Sequence, residues 1–132
     1  MLHAPPDREL VCLYLSQLTP GIDFVDVQRI IQDARQREAG LGLRGALVFD
    51  GERFAQLIAG QPAQLDPACA FIESDPRMTA VRLLHRGTDT PPLRPGWSSG
   101  YCGYQDLDLV IEAGAGGAMQ AFLHLLEGAV MD

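Results

Sequence analysis

Residues 42–62, GLRGALVFDGERFAQLIAGQP, constrain the fold of this 132-residue chain more than any other stretch. Two apolar runs flank Asp50-Gly51, a dipeptide suited to a tight hairpin because glycine accepts the positive φ such turns need. The pattern predicts strands over residues 43–49 and 54–58. Both faces of the first strand are apolar, with Leu47 and Phe49 on one side and Ala46 and Val48 on the other. Strands of this kind lie inside a sheet covered on both faces. Gln56 breaks the pattern, standing where an aliphatic residue is expected. An unpaired buried amide costs roughly 1–3 kcal/mol, so Gln56 needs a partner.

The segments around the hairpin suggest the rest of the sheet. Residues 10–17, LVCLYLSQ, are rich in strand formers and precede Pro20-Gly21, which predicts a first strand. Asp23 is suited to cap a helix, and Asp26 falls in its first turn. Val27, Ile31 and Ala34 then recur at helical spacing, widened by Ile30, and predict a helix over 24–39 with Gly40 at its end. A second helix is expected over 62–74, with Leu65, Ala68, Cys69 and Ile72 as its apolar stripe and Asp75-Pro76 as its stop. Residues 79–85 read as a fourth strand, the proline-rich stretch 87–96 as a loop, and 97–104 as a fifth strand broken by glycines. Met119, Phe122, Leu123 and Leu126 mark a C-terminal amphipathic helix with Gln120, His124 and Glu127 outside.

The resulting order is β-α-β-β-α-β, then an extra strand and a helix. It predicts an α+β, ferredoxin-like fold with both long helices on one face of the sheet and the last helix free to cover the other. The length suits a single domain over 1–132, with a core over about 9–104, a helical cap over about 105–132 and a loose lead-in over 1–8.

Composition narrows the function. A net charge of −7 and ten scattered Lys and Arg offer no basic patch for a phosphate backbone, so nucleic acid is not an expected partner. Cys12, Cys69 and Cys102 are odd in number and widely spaced, which fits reduced thiols rather than a disulfide framework or a zinc cluster. His3, His85 and His124 are too scattered for a metal site. Gly114, Gly116 and Gly117 follow no clear strand, so they do not make a dinucleotide fingerprint. The N-terminus shows no signal peptide, and no segment approaches the roughly 18 apolar residues of a membrane span, so a soluble cytoplasmic protein is expected.

Chemistry concentrates on a few side chains. Tyr14 lies mid-strand, and its hydroxyl needs a partner if buried. In a ferredoxin-like order the first and third strands are neighbours, which brings Tyr14 near Gln56. A phenol and an amide can pair either way round, because glutamine both donates and accepts. An acylphosphatase-like enzyme on the same fold would need an arginine in a glycine-rich loop after the first strand, and Leu18-Thr19-Pro20-Gly21 supplies none.

With Tyr14 and Ser16 on the first strand, LGLRGAL and FAQLIAG in the hairpin, Asp75 to Arg77, and Trp97-Ser98 in order, the chain over residues 10–101 resembles the BLUF domains, blue-light sensors that use FAD. The resemblance implies a flavin, FAD or otherwise FMN, lying between the two long helices and bordered by Tyr14, Ile31, Glu38, Gln56 and Arg77. It implies that Tyr14, Gln56 and Trp97 are photoactive. Gln56 would bridge the Tyr14 hydroxyl and the ring edge, blue light would draw an electron and a proton from Tyr14, and Gln56 would rearrange. Trp97 would pass the change toward the C-terminal helix. The chain is then expected to be no enzyme itself, to signal through a partner protein or a change of homo-oligomer, and to carry no output module. Several positions depart from the family pattern. Arg37-Glu38 replaces Asn-Asn, Arg44 a threonine, Ala59 a glutamate, Phe71 a phosphate-binding arginine, Met78 a histidine and Ser99 a methionine. An ionised Glu38 only accepts, so it cannot donate to a flavin carbonyl. Glu38 is expected as a solvated helix-end residue and Arg44 as a rim charge. The departures motivate an alternative, a flavin-free BLUF-like interaction module.

Overall fold

The computed structural model describes residues 9–88, 93 and 96–131. The expected lead-in over 1–8 and most of the proline-rich loop lie outside the described residues. Strand β1 (Leu10–Leu18) leads to helix α1 (Phe24–Gly40), the hairpin strands β2 (Arg44–Phe49) and β3 (Arg53–Gly60), helix α2 (Pro62–Ser74), strands β4 (Met78–Gly87) and β5 (Trp97–Tyr101), helix α3 (Tyr104–Gly128) and the short strand β6 (Val130–Met131). The sheet order is β4-β1-β3-β2-β5-β6. Its first four strands are antiparallel neighbours in the ferredoxin-like arrangement; β5 joins parallel to β2, and β6 antiparallel to β5.

Local chemistry accounts for the boundaries. The Asp23 side chain accepts from the backbone N–H of Asp26 at 3.1 Å, capping α1. In the hairpin, Asp50 Oδ1 accepts from the backbone N–H groups of Glu52 and Arg53, and Gly51 takes φ +104°. The end of α1 folds back over the sheet because the Leu43 N–H donates to the Glu38 carbonyl at 2.8 Å. On its other edge β1 meets β4 through irregularities at Leu13/Tyr14 and Leu15/Gln17, and Ala80 has φ +50° beside the second. Such bulges re-aim neighbouring side chains, and these two flank Tyr14.

Strand parity sorts the core into two layers. Val11 and Leu13 of β1, Ala46 and Val48 of β2, and Ala55, Leu57 and Ala59 of β3 face α3, where they meet Leu107, Val110, Ala118, Met119 and Phe122. The alternate residues face α1 and α2. There the core divides: Cys12, Tyr14 and Ile58 pack with Leu65, Ala68, Cys69 and Ile72 of α2, whereas Leu47, Phe49 and Phe54 pack with Val27, Ile30 and Ala34 of α1.

The C-terminal helix departs from the sequence reading in two ways. The cap expected over about 105–132 starts as a helix at Tyr104, but it is kinked at Gly114, whose φ of 69° and ψ of −172° are not helical, and the stripe of Met119, Phe122, Leu123 and Leu126 covers only its second half. It is also long and apolar enough to cross a membrane, judged by length and composition alone. The expectation that no segment approaches that length is corrected, because small residues across 113–118 carry no charge to break the run. One side of α3 is the sheet's cover, and Leu109 is exposed.

Candidate functional site

The site begins with two strand residues in register. Tyr14 pairs with Gln56, Gln56 pairs with Leu47 on its other side, and Leu47 pairs with Ser99. These four residues form one row across the sheet, and directly opposed residues share a face. Along β3, Phe54 belongs to the cluster under α1 and Ile58 to the cluster under α2. Gln56 stands between them, at the seam where the helix-side core divides. The Gln56 side chain is 4% exposed and Tyr14 3%.

The partners differ from those expected. Tyr14 and Gln56 are neighbours, but each is bonded to a carboxylate. The Tyr14 hydroxyl donates to Glu73 Oε2 on α2 at 2.5 Å, and Gln56 Nε2 donates to Glu38 Oε1 on α1. The amide thus reaches one helix and the phenol the other. Burial, followed by hydrogen bonding to Cys69 and Glu73, pushes the Tyr14 hydroxyl well above the ordinary phenol range.

Glu38 corrects the reading of a solvated helix end: its relative exposure is 0%. The backbone bond from Leu43 draws the last turn of α1 onto the sheet, taking the side chain with it. Burial pushes its carboxyl up to about 7, against the opposing pull of Arg37 and the Gln56 amide. Arg37 Nε lies 3.2 Å from Glu38 Oε2, an ion pair without hydrogen-bond alignment, so that Oε2 is buried with no hydrogen-bond partner. The Arg37 guanidinium also lies 4.0 Å from the centre of the Phe71 ring, linking α1 to α2.

The other expected residues spread along the seam. Ile31 packs against the α1 cluster. Arg77 bonds Asp75 Oδ2 at 2.8 Å and Asp33 Oδ2 at 2.7 Å, clasping the end of α2 to α1. Burial would raise the Asp75 carboxyl, but bonds from the Arg77 side chain and backbone outweigh it and hold the group below its ordinary range. Trp97 occupies the neighbouring row, paired with Gly45, and its Nε1 is buried without a partner. Arg35 lies 5.3 Å over the Trp97 ring and donates to Ser99 Oγ at 3.2 Å, joining α1 to β5. Met78 accepts from the Ser16 hydroxyl at 3.1 Å. Arg44 is half-buried rather than free at the rim, bonded to Glu9 at 2.6 Å.

Sequence reasoning missed Glu73 and Asp33, whose partners lie far along the chain. It placed Cys69 correctly on the buried stripe of α2 without noticing that Cys12 faces the same way. Among the described residues, no group of three or more His, Cys, Asp or Glu could hold a metal ion. A pocket of about 450 Å³ beside β5 and α3, lined by Tyr101, Cys102, Asp106 and His124 among others, contains none of the seam residues.

The ferredoxin-like sheet thus carries an opposed tyrosine–glutamine pair, buried under its two long helices. The model of the BLUF family, sensors of blue light using FAD, matches residues 10–99, and the chain belongs to that family. Among solved structures it is similar to the dark state of BlrB, a BLUF protein, with a TM-score of 0.73 and 21% identity over 91% of this chain and 96% of that one. It is similar to the photo-activated state of BlsA with a TM-score of 0.70 and 16% identity over 90% and 92% of the two chains. A structure of Klebsiella pneumoniae BlrP1 with FMN and cyclic diGMP shares 30% identity over 63% of this chain and 22% of that chain, with a TM-score of 0.57. The region aligned with BlrP1 is thus about a fifth of that protein's length. No curated protein matches the chain.

Proposed function

We propose that the protein is a blue-light receptor that holds FAD in the seam between α1 and α2 and signals from the cytoplasm through a protein partner or a change of oligomer, without enzymatic activity of its own. The observation that carries this reading is the Tyr14–Gln56 pair, opposed in one row at the line where the helix-side core divides.

The residues present fit the polar edge of a flavin ring. That edge carries carbonyl acceptors and an N–H donor. Glu38 Oε2 is a buried acceptor without a hydrogen-bond partner, suited to the ring N–H even when ionised. Trp97 Nε1 is a buried donor without one. Arg37 brings a cation to Phe71, the position at which the resemblance implies a phosphate-binding arginine. A bound flavin supplies blue-light absorption and an acceptor for an electron and a proton. Tyr14 stays neutral in the dark because burial suppresses its ionisation. Its hydroxyl donates to Glu73 and would have to turn from that carboxylate toward Gln56 to release its proton to the ring edge along with the electron. Gln56 holds its donor end on Glu38, and rotation or tautomerisation of the amide exchanges donor for acceptor at the ring edge. Arg35 couples the same helix to β5, a route for the change toward α3.

Reconstitution with FAD and with FMN, followed by absorption spectra before and after blue light, tests the proposal. A bound FAD spectrum with a reversible red shift supports it, and a preference for FMN would replace the cofactor. A second reading, a flavin-free interaction module, is favoured by the same bonds: Gln56 on Glu38, Tyr14 on Glu73 and Arg77 on two aspartates satisfy one another within the chain. It expects a colourless protein that gains neither flavin.

A further inference from the structure

Two cysteines face each other across the β1–α2 contact. Cys12 Sγ and Cys69 Sγ are 3.9 Å apart, and both residues are buried. Cys12 lies two residues before Tyr14 on the same face of β1, and Cys69 lies four residues before Glu73 on α2. Two strand residues advance about 6.6–6.8 Å, and four helical residues about 6 Å. The matched spacings make the thiol pair one rung of a ladder whose other rung is the Tyr14–Glu73 bond.

We propose that Cys12 and Cys69 are a reversible dithiol–disulfide site that responds to hydrogen peroxide and, when oxidised, ties α2 to β1 beside Tyr14. A disulfide needs the sulfurs about 2.05 Å apart, so the pair must close by roughly 1.9 Å as it forms. Cys69 is the less buried of the two, at 7% against 0% for Cys12, so it meets the oxidant first. Its thiolate attacks one peroxide oxygen, the O–O bond breaks, and hydroxide leaves to take up the proton released from Cys69. The Cys12 thiol gives up its proton as its sulfur attacks the Cys69 sulfenic acid; the S–O bond breaks and a second water forms. Two thiols and one peroxide thus yield one disulfide and two waters.

The surroundings favour the first step. Arg86 Nη1 lies 3.7 Å from Cys12 Sγ, close to the anionic charge the pair must carry. The bond between the two thiols lowers Cys69 and, with burial, raises Cys12, so Cys69 is the one of the pair that ionises first. Cys102 is the internal contrast: burial, with Asp50 and Asp106 nearby, pushes its thiol up to about 12. The site requires no flavin, so it stands or falls separately from the light-receptor reading.

The test treats the folded Cys102→Ser chain with hydrogen peroxide, denatures it in an alkylating agent and maps the peptides. The expected product is monomeric, lacks two hydrogens and both alkylation sites, and joins the Cys12 peptide to the Cys69 peptide. Dithiothreitol reverses it. Oxidation also raises Tm and slows hydrogen exchange across α2. Cys12→Ser is expected to leave Cys69 without a resolving thiol, so that it accumulates as sulfinic acid. The native chain, examined in the same way, gives the same linkage if either substitution disturbs folding. Full alkylation of both thiols after peroxide, or linkage only between chains, would overturn the proposal.

Discussion

The two faces of the sheet are made by the same strands but are built on different terms. On the α3 face, Leu13, Val48, Leu57 and Phe122 belong to one continuous apolar cluster. On the α1/α2 face, the alternate residues divide into two clusters, and Gln56, Tyr14, Glu38 and Ser16 lie buried along the helix side. Strand parity therefore separates two tasks. One side buries area, which stabilises by roughly 25 cal/mol per Å². The other side keeps buried polar groups that cost stability and hold protons, and their bonds to both helices make them sensitive to any change in the seam.

The largest effect is expected on the apolar face. Phe122→Ala should cost about 3–5 kcal/mol in urea unfolding, because Phe122 has no exposure and its cavity cannot be refilled. A loss below 1 kcal/mol would mean that α3 does not hold the sheet. The next effect lies in the seam. Glu38 has a folded value of about 7 against an ordinary 4.5, so its contribution to stability is fully present below pH 4.5 and is lost as pH rises through about 7. The difference corresponds to about 3 kcal/mol. Glu38→Gln should therefore stabilise the protein by an amount approaching that at pH 8, with the gain fading toward pH 5. A gain independent of pH would show that the carboxylate is not what burial penalises.

The smallest effect concerns the clasp at the end of the seam. Asp33 is about half exposed, so Asp33→Asn should cost only about 0.5–1 kcal/mol in the same unfolding experiment, less in high salt. A loss of several kcal/mol would move the clasp into the class of buried ion pairs. Asp75 acts in the opposite pH direction from Glu38. Its lowered value contributes stability that is present above the ordinary carboxylate range and is lost as pH falls through the folded value.

Much of this arrangement was legible because it is local. The apolar runs around Asp50-Gly51, the Asp23 cap and the α2 stripe place their elements within a residue or two, and α2 has the expected bounds. The opposition of Tyr14 and Gln56 follows from strand order and parity. What was not legible depends on where helices come to rest. A glutamate near a helix end ordinarily reaches water, and only the backbone bond from Leu43 shows why Glu38 does not. The carboxylate that accepts from Tyr14 lies 59 residues away on another element. The stripe over Met119 to Leu126 does not extend into the first half of α3, because the kink at Gly114 resets the helical phase. The family resemblance marked Gln56 as the switch, but the chain's own geometry gives that amide a carboxylate to hold.

In the proposed receptor, the polar seam holds a flavin against Tyr14 and Gln56. Difference absorption of the FAD-reconstituted native chain and of Gln56→Leu, in the dark and under blue light, tests it most directly. Bound flavin is expected in both proteins, and a reversible red shift in the native chain alone. A native chain that never retains flavin, or a Gln56→Leu variant with the full shift, would contradict it.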